Sequence, residues 1–146
     1  MTKPPFQRLL DEHATVVLRF CAASVGPVDG EDVFQETVIS ALRAYPKLRH
    51  ADNLRGWLLT IAHNKALDHH RARGRRAVPV EHLEETPVHD ADRPDDELWA
   101  AVDELPPKQR GAVLLRFVGD LSHREIAGAL GSSEEAARRS LADGLA

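Results

Sequence analysis

Apolar residues recur along most of this chain at intervals of three and four, the spacing of one buried helical face. Over residues 5–24 the stripe is Phe6, Leu9, Leu10, Val16, Val17 and Phe20, with His13 on the same side. Gly26-Pro27 is expected to end that helix. A second repeat over residues 31–45 uses Phe34, Val38, Ala41, Leu42 and Tyr45, and Pro46 follows it. Lys47–Asn53 reads as a polar loop. A third helix, Leu54–His70, carries Trp57, Leu58, Ile61 and Ala62 on one stripe. No alternating run of strand type is long enough to compete.

The second half repeats this pattern in shorter pieces. Leu98, Ala101, Val102 and Leu105 form one stripe, and Pro106-Pro107 stops that helix and starts the next. Val113, Leu114, Phe117 and Val118 give the following helix its apolar side, and Gly119-Asp120 ends it. Ser122-His123-Arg124-Glu125 has the spacing of a capping box. The helix it opens runs to about Leu130, and Gly131 suits a tight turn that needs positive φ. Ser132 and Ser133 can each cap the helix beyond, with Glu135 three residues after Ser132. Ala127 leaves room where the two helices would cross. Two short helices joined this way from about Leu121 to Ala146 predict a helix-turn-helix. A plain helical hairpin would share the pattern. Arg138 and Arg139 on the second helix favour DNA, because guanidinium groups pair with guanine edges and phosphates. Glu134 and Glu135 in its first turn argue the other way. The predicted fold class is therefore all-α, as two small helical domains.

Charge sharpens the division between them. The net charge of −4 is unfavourable for a DNA binder, but it is concentrated. Residues 77–97 hold eight acids against Arg93, a local charge of −7 that leaves the remainder at +3. With Pro79, Pro87 and Pro94 and no helical stripe, residues 77–96 read as a flexible acidic linker. From His63 to Arg76 there are five bases, Lys65, Arg71, Arg73, Arg75 and Arg76, against the single acid Asp68. Local charge governs what a phosphate backbone feels within a Debye length.

Composition mainly excludes. One cysteine, Cys21, permits no disulfide framework or cysteine-rich zinc site within the chain, and it reads as a small buried hydrophobe. His63, His69 and His70 lack carboxylate or cysteine company at ligand spacing, so no metal and no cofactor is expected. They read as surface or phosphate-facing histidines. The N-terminus has no apolar signal region and no stretch could span a membrane, which predicts a cytoplasmic location without membrane insertion. No nucleophile–base set, glycine-rich phosphate loop or paired carboxylate site stands out, so the chain is not expected to be an enzyme.

The order of motifs then resembles a known family. Asp32-Val33-Phe34-Gln35-Glu36-Thr37 comes first, and Gly56-Trp57-Leu58-Leu59-Thr60-Ile61-Ala62-His63-Asn64-Lys65-Ala66-Leu67-Asp68 follows. After the acidic linker come Leu105-Pro106-Pro107-Lys108-Gln109-Arg110, and Leu121-Ser122-His123-Arg124-Glu125-Ile126-Ala127 with Leu130-Gly131. Together these are similar to extracytoplasmic-function (ECF) sigma factors, the small two-domain initiation factors of bacterial RNA polymerase.

The resemblance implies sigma region 2 over residues 1–76 and region 4 over residues 97–146. It implies that Asp32, Gln35 and Glu36 dock on core polymerase. It assigns Lys47, Arg49, His50, Asn53, Trp57, Asn64, Lys65, Arg71, Arg73, Arg75 and Arg76 to the −10 element, with the loop 47–53 capturing a flipped base. It assigns Arg124, Ser133, Glu134, Arg138 and Arg139 to the −35 element. The implied partners are core RNA polymerase, promoter DNA and an anti-sigma factor.

The residues themselves leave some of this open. Trp57, flanked by Leu58 and Ile61, fits core packing better than base stacking. The Asp32/Glu36 face could be merely solvated. The family's second region 4 helix opens Gly-Thr-Val-Lys, where this chain has Glu135, Ala136, Ala137 and Arg138. The chain also stops at Ala146, before further basic residues the family carries, so region 4 is expected to be truncated or its −35 contact altered. The alternatives are a helix-turn-helix regulator, a sigma-like protein that binds DNA without polymerase, and a module that occupies an anti-sigma partner.

Overall fold

The computed structural model describes residues 4–49, 53–76 and 96–145, with the side chains of 74–76 and 96–99 outside that description. The linker expected over 77–96 therefore lies outside it up to residue 95, as do His50 and the side chains of Arg75 and Arg76. Among the described residues every regular element is helical: α1 Phe6–Val25, α2 Pro27–Ala44, a 3-10 turn Tyr45–Lys47, α3 Leu54–Arg76, α4 Asp96–Asp103, α5 Pro107–Phe117, α6 His123–Leu130 and α7 Glu134–Leu145.

Two boundaries differ from the sequence reading. Gly26-Pro27 ends α1 but also begins α2 at once, because Pro27 occupies the first helical turn where a missing N–H costs nothing. α3 continues past His70 to Arg76, so the basic cluster lies within a helix.

α1, α2 and α3 form the first bundle, with Leu9, Phe20, Cys21, Leu58, Leu59 and Ala62 almost wholly buried. The inner stripe of α2 is Gly30, Val33, Thr37 and Ala41; of the expected residues Ala41 and Tyr45 are buried, Phe34 packs half-buried against the core, and Leu42 turns outward. Leu42 is 54% exposed. Thr37 can occupy a core position because its hydroxyl donates to Val33 O at 2.8 Å, which removes the cost of an unpaired polar group. Gly30 lets α1 and α2 touch: a Cβ there would sit 2.7 Å from Ala22 Cα. A backbone atom cannot give way, so Gly30→Ala is expected to destabilise the bundle by about 1–3 kcal/mol through overpacking. Urea unfolding should show a lower midpoint with an unchanged slope.

The second bundle, α4 to α7, buries Val102, Leu114, Leu115, Leu121, Ile126 and Leu141. Leu115 is fully buried, whereas Phe117, expected on the apolar side of α5, is 65% exposed.

The two bundles pack together, α3 against α5 and α6, and α1 against α5. The ring of His63 fills the notch left by Gly111, where a Cβ would lie 2.3 Å from His63 Cε1. Arg110 is the other joint. Its guanidinium donates to Ser24 O at 3.0 Å across the interface, and to Val102 O, Asp103 O and Leu105 O within its own half. His70 Nε2 lies 3.2 Å from the same group.

Candidate nucleic-acid and partner interfaces

The helix-turn-helix is built as its capping residues dictate. Glu125 N–H donates to Ser122 Oγ at 3.1 Å, and Ser122 N–H donates to Glu125 Oε1 at 2.8 Å, closing both halves of the capping box. Gly131 adopts the left-handed conformation, φ 66° and ψ 35°, and Ser132 N–H returns to Ala127 O. Of the two candidate caps for α7, Ser133 serves: its Oγ accepts from Ala136 N–H at 3.0 Å. α7 turns Ala137 and Leu141 inward. Glu134, Arg138 and Arg139 face solvent, as do Arg124 on α6 and Ser133. Arg138 pairs with Glu134 at 2.8 Å one turn away. Such an exposed pair contributes only a few tenths of a kcal/mol, so a stronger anion can displace the carboxylate.

In the first half, Asp32, Gln35 and Glu36 are all exposed on α2. Ile39 and Leu42 continue the same face at i+3 or i+4 steps and are 49% and 54% exposed. Neither was singled out from the sequence as part of a docking face. The signal was a second apolar stripe on α2, which a single-helix pattern folds into the core stripe.

The described residues assigned to the −10 element lie on α3 and on the segment that precedes it. Lys47 and Arg49 are exposed, as is Asn64, while Lys65 is half-buried. Asn53 caps α3 by accepting from Gly56 N–H at 3.0 Å, and its Nδ2 donates to Glu125 Oε2 at 2.7 Å in the other half. Arg71 lies 3.3 Å from Asp68, and both are exposed. Arg73 and His69 share Asp29, at 2.8 and 3.1 Å. Trp57 is half-buried with its ring 5.9 Å from Tyr45, which in turn stacks near Phe6. That supports the packing role that the flanking residues suggested.

His63, expected at the surface or facing phosphate, is instead 3% exposed. The face of α3 that carries it is covered by α5, a contact between residues far apart in sequence. Burial, with His70 beside it, pushes its pKa down to about 4, so the ring is neutral at physiological pH. His70 is shifted down by burial, and further by Arg110 and His69. Cys21 is fully buried, and burial pushes its thiol up to about 12, which makes it inert.

With this geometry in view, comparisons with known proteins agree across the chain. Residues 9–76 match the Sigma-70 region 2 family model, and residues 95–146 match that of Sigma-70 region 4. The ECF RNA polymerase sigma factor SigD of Mycobacterium tuberculosis is 34% identical over 149 residues, covering 90% of this chain and 69% of SigD. SigE of Mycolicibacterium smegmatis is 34% identical over 139 residues, covering 88% of this chain and 54% of SigE. The fold is shared with the sigma factor RpoE of Bartonella quintana in its complex with the anti-sigma factor NepR, at 21% identity and a TM-score of 0.79 over 96% of this chain and 91% of RpoE. It is shared too with CnrH bound to the cytosolic domain of CnrY, at 21% identity and a TM-score of 0.71 over 96% of this chain and 82% of that one. The chain therefore belongs to the sigma-70 family, as an ECF RNA polymerase sigma factor that directs promoter-specific transcription initiation.

Proposed function

We propose that three separate surfaces carry this activity, and that the protein works in the cytoplasm without catalysis of its own. The exposed face of α2, Asp32, Gln35, Glu36, Ile39 and Leu42, docks on core polymerase. The observation that carries this is the combination of acids with two half-exposed aliphatic side chains on one helix face. Apolar side chains supply the buried centre of an interface and charged ones its rim. The N-terminal end and outer side of α3, with Lys47 and Arg49 before it, engage the −10 element. Promoter opening unpairs and unstacks bases at a few kcal/mol each, and cationic and polar side chains stabilise the exposed strand. α7 reads the −35 element through Arg138 and Arg139, with Arg124 and Ser133 flanking on the phosphates.

Asn53 adds a constraint. Its amide is held by Glu125, so its use on a DNA base requires the contact between the two halves to release. Promoter engagement and separation of the halves are thus coupled in this reading.

Run-off transcription with core polymerase tests it. The full chain is expected to yield a promoter-dependent product and to be retained by core in a pull-down. Absence of both would exclude the polymerase role. Tight duplex binding by the free chain, without core, would favour a helix-turn-helix regulator instead.

A further inference from the structure

Arg55 lies in the first turn of α3, between Asn53 and Trp57, and none of the three surfaces above uses it. We propose that Arg55 is a further DNA contact at the −10 element. It is a cation for a phosphate of the opened strand, masked by the turn between α5 and α6 while the halves are packed and freed when they part. This role rests on the reading that the N-terminal end of α3 engages the −10 element.

The bonding of Arg55 is the first observation. A guanidinium carries five N–H donors in a rigid fork. Every nitrogen of Arg110 meets a backbone carbonyl: Ser24 O, Val102 O, Asp103 O or Leu105 O. Arg55 instead makes one hydrogen bond among the described residues, from a terminal nitrogen to Asp120 O at 3.3 Å, a long one. Its Nε is buried with no partner among the described residues. No carboxylate of the described residues pairs with it. An arginine kept for packing alone has its donors met, because an unpaired buried donor costs the folded state and returns nothing. A phosphate presents two oxygens at the spacing of the fork, so that Nε–H and a terminal N–H are met together.

The second observation is its place at the joint. Arg55, Leu59 and His63 stand at i+4 steps and face the second bundle. A Cβ on Gly119 would sit 2.9 Å from Leu59 Cδ1, and one on Gly111 2.3 Å from His63 Cε1. Arg55 is the N-terminal end of this stripe. Two positions away, Asn53 donates to Glu125 Oε2 at 2.7 Å. Parting of the halves breaks the bonds to Asp120 and Glu125 together and opens the fork to solvent. The segment leading into α3 already exposes Lys47 and Arg49, so the freed charge joins cations that favour a phosphate backbone.

Holoenzyme reconstituted from core polymerase and the full chain is titrated with a promoter fragment over a range of sodium chloride. Arg55→Gln is expected to weaken binding about tenfold and to flatten the dependence of log affinity on log salt by about 0.7, the share of one phosphate contact on a single strand. Arg55→Lys should keep the slope, and Arg19→Gln, exposed on α1, should change neither quantity. The melting temperature of Arg55→Gln should match wild type, because one long hydrogen bond is all it gives up. A lower melting temperature with a wild-type slope would make Arg55 structural and overturn the contact.

Masking is measured on the free full chain with a labelled single-stranded oligonucleotide of mixed sequence. Glu125→Gln keeps the capping box, which glutamine also closes. It sets an amide against that of Asn53, whose oxygen is already held by Gly56 N–H. This variant should bind about threefold tighter than wild type, the effect of one hydrogen bond, and Glu125→Gln combined with Arg55→Gln should not. No gain, or a gain that survives without Arg55, would overturn the masking. Wild-type holoenzyme that fails to bind the promoter fragment would remove the −10 reading and this contact with it. Wild-type binding with an unmoved slope in Arg55→Gln would remove the contact alone.

Discussion

Asp32→Lys combined with Glu36→Lys is expected to lower affinity for core polymerase by about a hundredfold or more. Both side chains lie exposed on α2, so reversal leaves the bundle's core untouched. Under the proposed docking, two attractive contacts at the interface become two repulsive ones. Like-charge juxtaposition across an interface costs several kcal/mol, and a hundredfold corresponds to about 2.7 kcal/mol. Ile39→Glu should produce a comparable loss by placing a carboxylate at the desolvated centre of the same face. The measurement is core retention in a pull-down, beside circular dichroism to confirm the helices. Tight duplex binding that persists in the same variants would instead favour a helix-turn-helix regulator. Wild-type retention by the double reversal would place the docking surface elsewhere on the chain.

The second large effect is acid sensitivity of the joint between the halves. In the unfolded chain His63 takes up its proton near pH 6.5, whereas the folded protein resists until about pH 4. A histidine with a lowered pKa contributes stability that is complete above pH 6.5 and is lost as pH falls towards 4. The shift corresponds to about 3 kcal/mol across that window. His63 lines a cleft with His70, Arg71 and Lys108, and none of these can accept an ion pair from the imidazolium. Because the ring sits between α3 and Gly111 of α5, separating the halves is the cheapest way to hydrate the new charge. Urea unfolding of wild type and His63→Gln between pH 7 and 4.5 measures the effect by difference, so that titrating carboxylates cancel. The stability gap between the two proteins should shrink as pH falls. A gap independent of pH would show that the ring does not carry this penalty. Small-angle scattering should show the wild-type radius growing over the same range.

The second effect arises where residues remote in sequence meet, His63 of α3 and Gly111 of α5, and such contacts were the hardest to read from the sequence. The helix-turn-helix was legible because its signals are local. Ser122 and Glu125 stand three residues apart and need only a helix start to close their box, and Gly131 needs only a turn with positive φ. Helix count and class followed from apolar spacing for the same reason. The α2 stripe was read in part: Ala41 and Tyr45 are buried as expected, but Thr37 was missed, because it is polar and becomes core only when its hydroxyl bonds to Val33 O. Leu42 erred in the opposite direction: apolar and on a helix, it faces solvent.

The amino-acid sequence alone thus determined the helical segments among the described residues, the capping box of α6, the Gly131 turn and the basic character of α3, since each depends on neighbours within one or two turns. Tertiary structure decided which face each helix buries. It turned His63 from a surface residue into the wedge against Gly111, and set Arg110 of the Leu105–Arg110 motif across the joint to Ser24. It joined Asn53 to Glu125, and it brought Arg71 and Lys108 into the lining of one cleft. Those pairs are separated by roughly forty to ninety residues, and no periodic pattern encodes a contact made only when two helices from different bundles lie side by side.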